Sequence, residues 1–279
     1  SLNLDPLYSI IYSGDKMIIK ILASGSKGNS SYYESENTRM LIDLGLSYKK
    51  TKEILAEEEF DILNVDVVFI THEHSDHVKG IYTFIKRTKA IIYMSEGTYR
   101  ALCRKTRGDE IENAYFDSRI VLFSKDKYED RYLSIDINGL NVSPEESFHD
   151  AEESVNYIIN SEDKKVCLIT DTGYIHKKQL ANFSKADCYI IETNHDPDIL
   201  ISSDRPYQLK QRILSRRGHL SNEDAIYLLI KLVAENTRTV YYAHISDDCN
   251  LFQIVDQTRK KLFLDLECES EKIDFIFTG

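Results

Sequence analysis

The sequence is informative first for what it lacks. No apolar run approaches the roughly 20 residues that a bilayer-spanning helix needs. Residues 1–6 lack the basic and apolar regions of a signal peptide. The five cysteines include no C-x-x-C pair, which argues against a disulfide framework and fits a reducing compartment. Linkers rich in proline and glycine, low-complexity tracts and internal repeats are also absent. We therefore expect a cytoplasmic protein without a membrane segment.

Positive charge is scarce as well. The chain has 35 lysines and arginines against 46 acidic residues, a formal net charge of −11. Non-specific nucleic-acid binding usually relies on a basic surface, so this balance counts against it. Two local basic clusters exist nevertheless, and each could be an ordinary solvated helix face: Arg100, Arg104, Lys105 and Arg107, and then Lys210, Arg212, Arg216 and Arg217. The second cluster leads directly into His219. Bound divalent cations would also reverse the local sign of charge.

The most informative segment is the run THEHSDH at residues 71–77. It follows an apolar run at residues 65–70 that predicts a buried strand, and a strand ending in such a loop presents ligands from a rigid scaffold. His72 and His74 are two residues apart, so on an extended segment they point the same way. Asp76 and His77 lie past the bend, where they can face a second ion. The spacing therefore predicts two metal ions rather than one.

Alternating strand and helix patterns predict an α/β fold. At 279 residues the chain is long enough for one large α/β domain or two small ones. The first convincing strand begins at Met17, so we interpret residues 1–16 as an N-terminal extension of uncertain role. Residues 17–279 are predicted to be a single domain of two α/β halves. Turns are predicted at Asn138-Gly139 and at Asp196-Pro197.

Further ligands are expected at the ends of other predicted strands. A two-metal site needs roughly five to seven nitrogen or oxygen ligands, of which THEHSDH supplies four. His149, Asp171 and His244 each follow a β pattern. An isolated histidine or aspartate in such a place is more often a structural polar residue. Three of them at strand ends, in a chain that already has THEHSDH, favour the ligand interpretation.

The order of these residues resembles the metallo-β-lactamase fold superfamily, over essentially all of residues 17–279. The resemblance implies a four-layer αββα sandwich, an α/β fold with the site at one edge of the sheets. By this likeness His72, His74 and His149 would hold one metal, Asp76, His77 and His244 the other, and Asp171 would bridge them. Asp43 would orient these ligands without binding metal itself. Ligation by nitrogen and oxygen alone suits zinc, and also manganese or iron.

Two further segments resemble the paired Glu and His elements of the phosphodiesterase branch of this superfamily. They contain Glu192 and His219, which by this likeness would donate a proton to the leaving oxygen. A phosphodiester leaves as an alkoxide that is hard to expel without a proton, so general acid catalysis is chemically motivated. As an alternative, His219 is a residue of the turn before a helix that Ser221 caps.

Four runs in order, ASGSKGNSSYYE, IETNHD, GHLSNEDA and AHISDDCN, together resemble the YycJ (WalJ) family of small bacterial phosphodiesterases. The resemblance implies a dinuclear-metal-dependent hydrolase of phosphodiester bonds, acting as a 5′-to-3′ exonuclease on DNA. A metal-bridging hydroxide would attack phosphorus, with Asp76 orienting it. Lys27, Asn29 and His195 are candidate contacts to the substrate.

Three alternatives stay open at the level of sequence. A thiolester or lactone hydrolase of the glyoxalase II type shares THxHxDH and the bridging aspartate, but would not need Glu192 or His219. A phosphodiesterase of a small nucleotide would use the same site. A metal-stabilised binding module without activity is the third, although a purely structural metal site would be closed. The choice between DNA and RNA, the polarity of cleavage and the oligomeric partners are not determined by the sequence.

Overall fold

The computed structural model describes residues 9–11 and 17–278. The chain divides into two compact units. The first unit consists of residues up to 146 with the short segments 151–155 and 161–163, and the second consists of residues 147–150, 156–160 and 164 onward. The prediction of one hydrolase domain over residues 17–279 stays a prediction. Among the described residues, no helix combines the length and apolarity that crossing a bilayer requires.

The first unit contains a mixed sheet of seven strands that follow one another in sequence order. Its strands are β1 (Ser9–Ile11), β2 (Ile18–Ala23), β3 (Ser30–Glu34), β4 (Arg39–Ile42), β5 (Val67–Phe69), β6 (Ile91–Ser95) and β7 (Ile120–Phe123). Pairing is antiparallel from β1 to β4 and parallel from β4 to β7. β1 belongs to the predicted N-terminal extension, and residues 1–8 and 12–16 of that extension lie outside the described residues.

In the described part of the first unit, five α-helices pack with the sheet around an apolar core. They are α1 (Tyr48–Glu57), α2 (Ser75–Val78), α3 (Ile81–Arg87), α4 (Glu96–Cys103) and α5 (Gly108–Phe116). Leu41, Val68 and Ile92 are register partners on adjacent strands, so they share one face of the sheet. That face packs against buried helix residues such as Leu55 and Phe84. Removing such fully buried side chains from water stabilises the fold by about 1.5–3 kcal/mol each.

The first unit also carries a β-hairpin made of β8 (Ile135–Ile137) and β9 (Leu140–Glu146). The predicted turn at Asn138-Gly139 is confirmed, because both residues have positive φ, 51° and 88°. Two consecutive positive φ values are what a tight two-residue hairpin loop requires, and Asn-Gly supplies them at the least steric cost. The hairpin ends close in sequence to His149.

The second unit contains strands β10 to β14, of which β10 and β11 are antiparallel and the others parallel. They are β10 (Val155–Asn160, whose first residue is assigned to the first unit), β11 (Lys165–Ile169), β12 (Cys188–Glu192), β13 (Thr239–Ala243) and β14 (Asp274–Phe277). The helices are α6 (Leu180–Phe183), α7 (Pro197–Ser202), α8 (Tyr207–Ile213), α9 (Asn222–Leu232) and α10 (Phe252–Asp265). Apolar residues of α6, α9 and α10 pack with Cys167, Tyr189 and Val240 of the sheet, whereas those of α7 and α8 pack in a separate cluster with Cys249.

One local prediction in this unit was wrong. Asp196-Pro197 was predicted to be a turn, but it begins α7. The Asp196 side chain accepts hydrogen bonds from the backbone N–H groups of Asp198 and Ile199, both at 3.0 Å. Proline suits the first helical position because its missing N–H would have no partner there. The same dipeptide thus starts a helix here.

Candidate functional site

The THEHSDH segment forms a compact group of side chains in the first unit. It begins two residues after β5, and α2 starts within it at Ser75. The ring of His72 lies 4.6 Å from that of His74 and 4.1 Å from that of His77, measured between centroids. Nε2 of His77 lies 3.6 Å from Oδ2 of Asp76. Three imidazoles and a carboxylate therefore meet, with His72 and His77 fully buried.

Asp43 orients this group from the end of β4. Its Oδ1 accepts a hydrogen bond from the backbone N–H of Thr71 at 2.8 Å, and its Oδ2 accepts one from the Thr71 hydroxyl at 2.8 Å. Nδ1 of His77 lies 2.7 Å from the same Oδ2. A proton on Nδ1 that points at Asp43 leaves Nε2 as the basic nitrogen for a metal. Burial raises the pKa of Asp43, and its contacts with His77 and Thr71 oppose that rise.

The glycine- and serine-rich loop before β3 packs directly on the ligand segment. The backbone N–H of Asn29 donates to the carbonyl of Asp76 at 2.7 Å, and its side-chain amide lies 3.0 Å from Nε2 of His77. Gly45 is needed beside this contact, since a Cβ there would lie 1.8 Å from the carbonyl oxygen of Asp76. Lys27 in the same loop is exposed. Substrate contacts of Lys27 and Asn29 stay predictions.

In the second unit, three predicted ligands follow strands and meet at one point. Asp171 comes two residues after β11, and its Oδ1 lies 3.8 Å from Nε2 of His149 and 3.4 Å from Nε2 of His244. His244 comes directly after β13. Asp171 and His244 both have left-handed backbones, with φ of 51° and 52°. Non-glycine residues held in this region are typical of functional sites, where the surrounding structure imposes the conformation.

The backbone and a neighbouring amide fix the orientation of these imidazoles. Nδ1 of His149 lies 3.2 Å from the carbonyl oxygen of Gly218, which is the usual way to direct Nε2 toward a metal. Burial lowers the pKa of His149, and the neutral imidazole is the form that binds metal. The side-chain amide of Asn194 lies 3.1 Å from Nδ1 of His244. Sequence reasoning gave Asn194 no role, although it lies inside the IETNHD run.

The predicted acid pair is assembled beside these residues. Oε2 of Glu192 lies 3.0 Å from Nδ1 of His219. Its Oε1 accepts hydrogen bonds from the backbone N–H groups of Thr172 at 2.8 Å and Leu220 at 3.1 Å. Burial raises the pKa of Glu192, but the positive charge and hydrogen bond of His219 outweigh this effect and hold the pKa below its ordinary value. Glu192 is therefore a buried carboxylate.

Ligand atoms of the second unit lie close enough together for metal binding. One atom from each of His149, Asp171 and His219 lies within 4.8 Å of the others, and so does one from each of Glu192, His219 and His244. Within the described residues these donors are nitrogen and oxygen only, a set suited to zinc, manganese or iron. The donor set thus fits a divalent metal.

His195 occupies a different kind of environment. It is 1 % exposed, and neither ring nitrogen has a hydrogen-bond partner among the described residues. Burial lowers its pKa to about 4. Its assigned contact with substrate stays a prediction.

Buried imidazoles with oriented ring nitrogens, and a carboxylate that holds a further imidazole, are the groups that a metal-dependent hydrolase requires. The model of the metallo-beta-lactamase superfamily matches residues 23–244. This chain belongs to that superfamily. The predicted membership and the αββα sandwich fold that it implies are confirmed, as is divalent metal binding at the level of the family.

Individual relatives agree with this assignment. The exodeoxyribonuclease WalJ of Streptococcus pneumoniae is 37 % identical over 238 residues, which are 85 % of each chain. The exodeoxyribonuclease YycJ of Bacillus anthracis is 32 % identical over 234 residues, 84 % of each chain. The metallo-beta-lactamase fold protein YhfI from Bacillus subtilis is similar in structure, with a TM-score of 0.67 at 13 % identity, over 95 % of this chain and 98 % of that one. The predicted resemblance to the YycJ family is confirmed.

Proposed function

We propose that this protein is a DNA exonuclease that removes nucleotides from 5′ ends. The observation that carries the proposal is the contact of 3.0 Å between Glu192 and His219. A hydrolase of thiolesters or lactones needs no such pair, whereas a phosphodiester needs a proton for its leaving alkoxide. The names of the two relatives, both exodeoxyribonucleases, support DNA as the substrate.

We propose two divalent metal ions in the active enzyme, with zinc as the first choice and manganese or iron as alternatives. His72, His74 and His149 would hold one ion, Asp76, His77 and His244 the other, and Asp171 would bridge them. The bound metal supplies a water of lowered pKa and neutralises charge on phosphate oxygens. Asp76 would also orient the attacking water. Asp43, 2.7 Å from Nδ1 of His77, favours the tautomer in which Nε2 carries the lone pair that a metal would bind.

His219 is the proposed proton donor. With Nδ1–H directed at Glu192, the protonated ring carries its second proton on Nε2, which would go to the departing sugar oxygen. Glu192 stays ionised because the backbone N–H groups of Thr172 and Leu220 also bind its carboxylate. The carboxylate of Glu192 is therefore buried and ionised, and it holds the imidazolium of His219 in place.

We also propose that the protein works in the cytoplasm. The described residues include all five cysteines, and none of these forms a disulfide. Thiols persist in this state in a reducing compartment.

The direct test is cleavage of 5′-labelled and 3′-labelled DNA and RNA by metal-loaded protein. Stepwise loss of nucleotides from DNA 5′ ends, reduced about 10²- to 10⁴-fold in His219→Ala, supports the proposal. His176→Ala is a matched control, because His176 is an exposed histidine of the same unit. Cleavage of no polymer, together with hydrolysis of a small thiolester or lactone that is indifferent to His219→Ala, would show the exonuclease proposal to be wrong. Release of nucleotides only from dinucleotides would point to a small-nucleotide phosphodiesterase.

A further inference from the structure

Two aromatic rings and an arginine come together in the second unit. The rings of Phe148 and Tyr174, both half-buried, have centroids 4.3 Å apart and an interplanar angle of 30°. The guanidinium carbon of Arg216 lies 5.5 Å from the centre of the Tyr174 ring. We name these three residues the aromatic patch. Aromatic rings beside a guanidinium are the groups on which unpaired nucleobases stack in proteins that bind single strands.

Hydrogen bonds join the two chain segments that carry these rings. The N–H of Gly173 donates to the carbonyl of Phe148 at 2.9 Å. The hydroxyl of Thr172 accepts from the N–H of Phe148 at 3.3 Å and donates to the carbonyl of Tyr174 at 2.8 Å. The N–H of Thr172 in turn donates to Glu192 at 2.8 Å. The aromatic rings are therefore held by the same loop that binds the carboxylate of the acid pair.

The arginine loop at residues 215–218 packs against both of these segments. A Cβ on Gly173 would lie 2.4 Å from the backbone carbonyl carbon of Arg216, so only glycine permits this approach. Nε of Arg217 donates to the carbonyl of His149 at 3.1 Å. His219 follows this loop directly. The aromatic patch thus adjoins His149, Asp171 and His219 through short covalent and hydrogen-bonded connections.

Arg216 forms no ion pair with any residue that the structure describes, and its side chain is exposed. Neighbouring arginines differ from Arg216 in this respect, because Arg212 of the same basic cluster pairs with Asp150, and in the other basic cluster Arg107 pairs with Glu110 at 2.7 Å. The chain has a net charge of −11. An exposed arginine that lies near a candidate catalytic site and has no acidic partner among the described residues therefore favours an anionic ligand.

We propose that the aromatic patch binds one unpaired nucleotide of the substrate, with its base stacked on the rings and its phosphate contacting Arg216. This inference rests on the proposed nuclease function and specifies its substrate as a single-stranded end. Bases in a duplex are already stacked and paired, so a paired end must open before it can occupy the patch. The enzyme should therefore prefer single strands and frayed ends to blunt duplexes.

The test compares an ordinary single-stranded oligodeoxynucleotide with one whose two 5′-terminal nucleosides are abasic. For the wild-type enzyme, KM should rise by roughly 5- to 100-fold on the abasic substrate, because stacking of one base is lost. Tyr174→Leu should raise KM on the ordinary substrate by a similar factor and show little further change on the abasic one. Tyr174→Phe should restore the wild-type values, since it keeps the ring. Arg216→Gln should raise KM on both substrates and weaken the salt dependence of binding.

Binding of labelled oligonucleotide by the His219→Ala protein, measured by fluorescence anisotropy, gives a readout that does not depend on turnover. Tyr128→Leu is the control, because Tyr128 is 96 % exposed and lies in the other unit. Equal KM and equal binding for ordinary and abasic substrates would overturn the stacking proposal while leaving the exonuclease standing. A wild-type enzyme that cleaves no DNA would overturn both the exonuclease proposal and the stacking proposal. The activity of the wild-type enzyme on the ordinary and the abasic substrate therefore distinguishes the two failures.

Discussion

The two units present their candidate ligands in opposite ways. In the first unit the four candidate ligands lie within seven consecutive residues, and the Asp43 carboxylate and the loop that contains Asn29 contact them. In the second unit they come from separate strand ends, as far apart as His149 and His244. A contiguous group depends on local backbone geometry, whereas a dispersed group depends on the order and register of strands. A mutation can therefore displace the ligands of the first unit by changing the local backbone, and those of the second unit by changing the pairing of strands.

The largest effect should come from the dispersed group. Glu192→Gln removes the charge that holds His219 while preserving the size of the side chain. Turnover of DNA should fall about 10²- to 10⁴-fold, and metal content should stay unchanged. Steady-state kinetics together with metal analysis of the purified protein check this. Glu223→Gln, at the start of α9, serves as control. Retention of more than a tenth of the activity would contradict the acid role of the pair.

Gly45→Ala tests the backbone dependence of the contiguous group. The added methyl would meet the carbonyl of Asp76 at 1.8 Å, so the chain must move apart there. We expect a loss of about 3 kcal/mol in the free energy of unfolding, from steric overpacking. Gly139→Ala is the comparison, because nothing lies within 4 Å of its added Cβ although its φ of 88° favours glycine. Urea denaturation of both variants measures these changes. Equal losses in the free energy of unfolding would show that the close approach at Gly45 is unimportant.

Asp43→Asn sharpens the comparison at the level of metal affinity. An amide cannot reproduce both carboxylate contacts, so His77 loses the acceptor that sets its tautomer. Metal affinity should fall by about 10- to 100-fold, measured by competition with a chelator. Asp66→Asn provides the control, since Asp66 accepts the backbone N–H of Arg39 at 2.8 Å. A similar affinity in both variants would refute the orienting role of Asp43.

The smallest effect concerns pH and His195. Burial lowers the pKa of His195 to about 4, below the value of roughly 6.5 expected in the unfolded chain. The unfolded state therefore takes up this proton first as the pH falls, and the free energy of unfolding decreases between about pH 6.5 and pH 4. His195→Asn should make that decrease shallower, and the corresponding change at exposed His176 should not. Urea midpoints measured from pH 7 to pH 5 compare the slopes, and parallel curves would contradict the prediction.

Much of the fold could be predicted from local patterns. The apolar runs at residues 188–192 and 239–243 predict strands, and β12 (Cys188–Glu192) and β13 (Thr239–Ala243) have these bounds. The sequence pattern of residues 77–87 predicts one helix, but the structure has two, which separate at Lys79 and Gly80. α5 was not predicted. Its first turn follows Arg107-Gly108 and its apolar positions are few, so propensity alone did not distinguish it from a loop.

The part of the candidate site that could be predicted is the part whose residues lie together in one short segment. THEHSDH contains four donors together, and its strand-to-loop position follows from the apolar run before it. The role of Asn194 and the contact between Phe148 and Tyr174 were not predictable, because each depends on loops brought together by the sheet. The left-handed backbone at Asp171 and His244 was not predictable either, because aspartate and histidine are enriched in that region but residue type alone does not show which of them adopt it.

The order of strands in the first sheet bears on how the protein is made. Each of its seven strands pairs with the strand next to it in the chain. Contacts between sequence neighbours form early because they close short loops. During synthesis, which proceeds from the N-terminus, this sheet can be completed as soon as β7 leaves the ribosome. His72, His74, Asp76 and His77 would then be folded into place before the codon for His244 is read, so the nascent protein would acquire its first metal ligands well before its last.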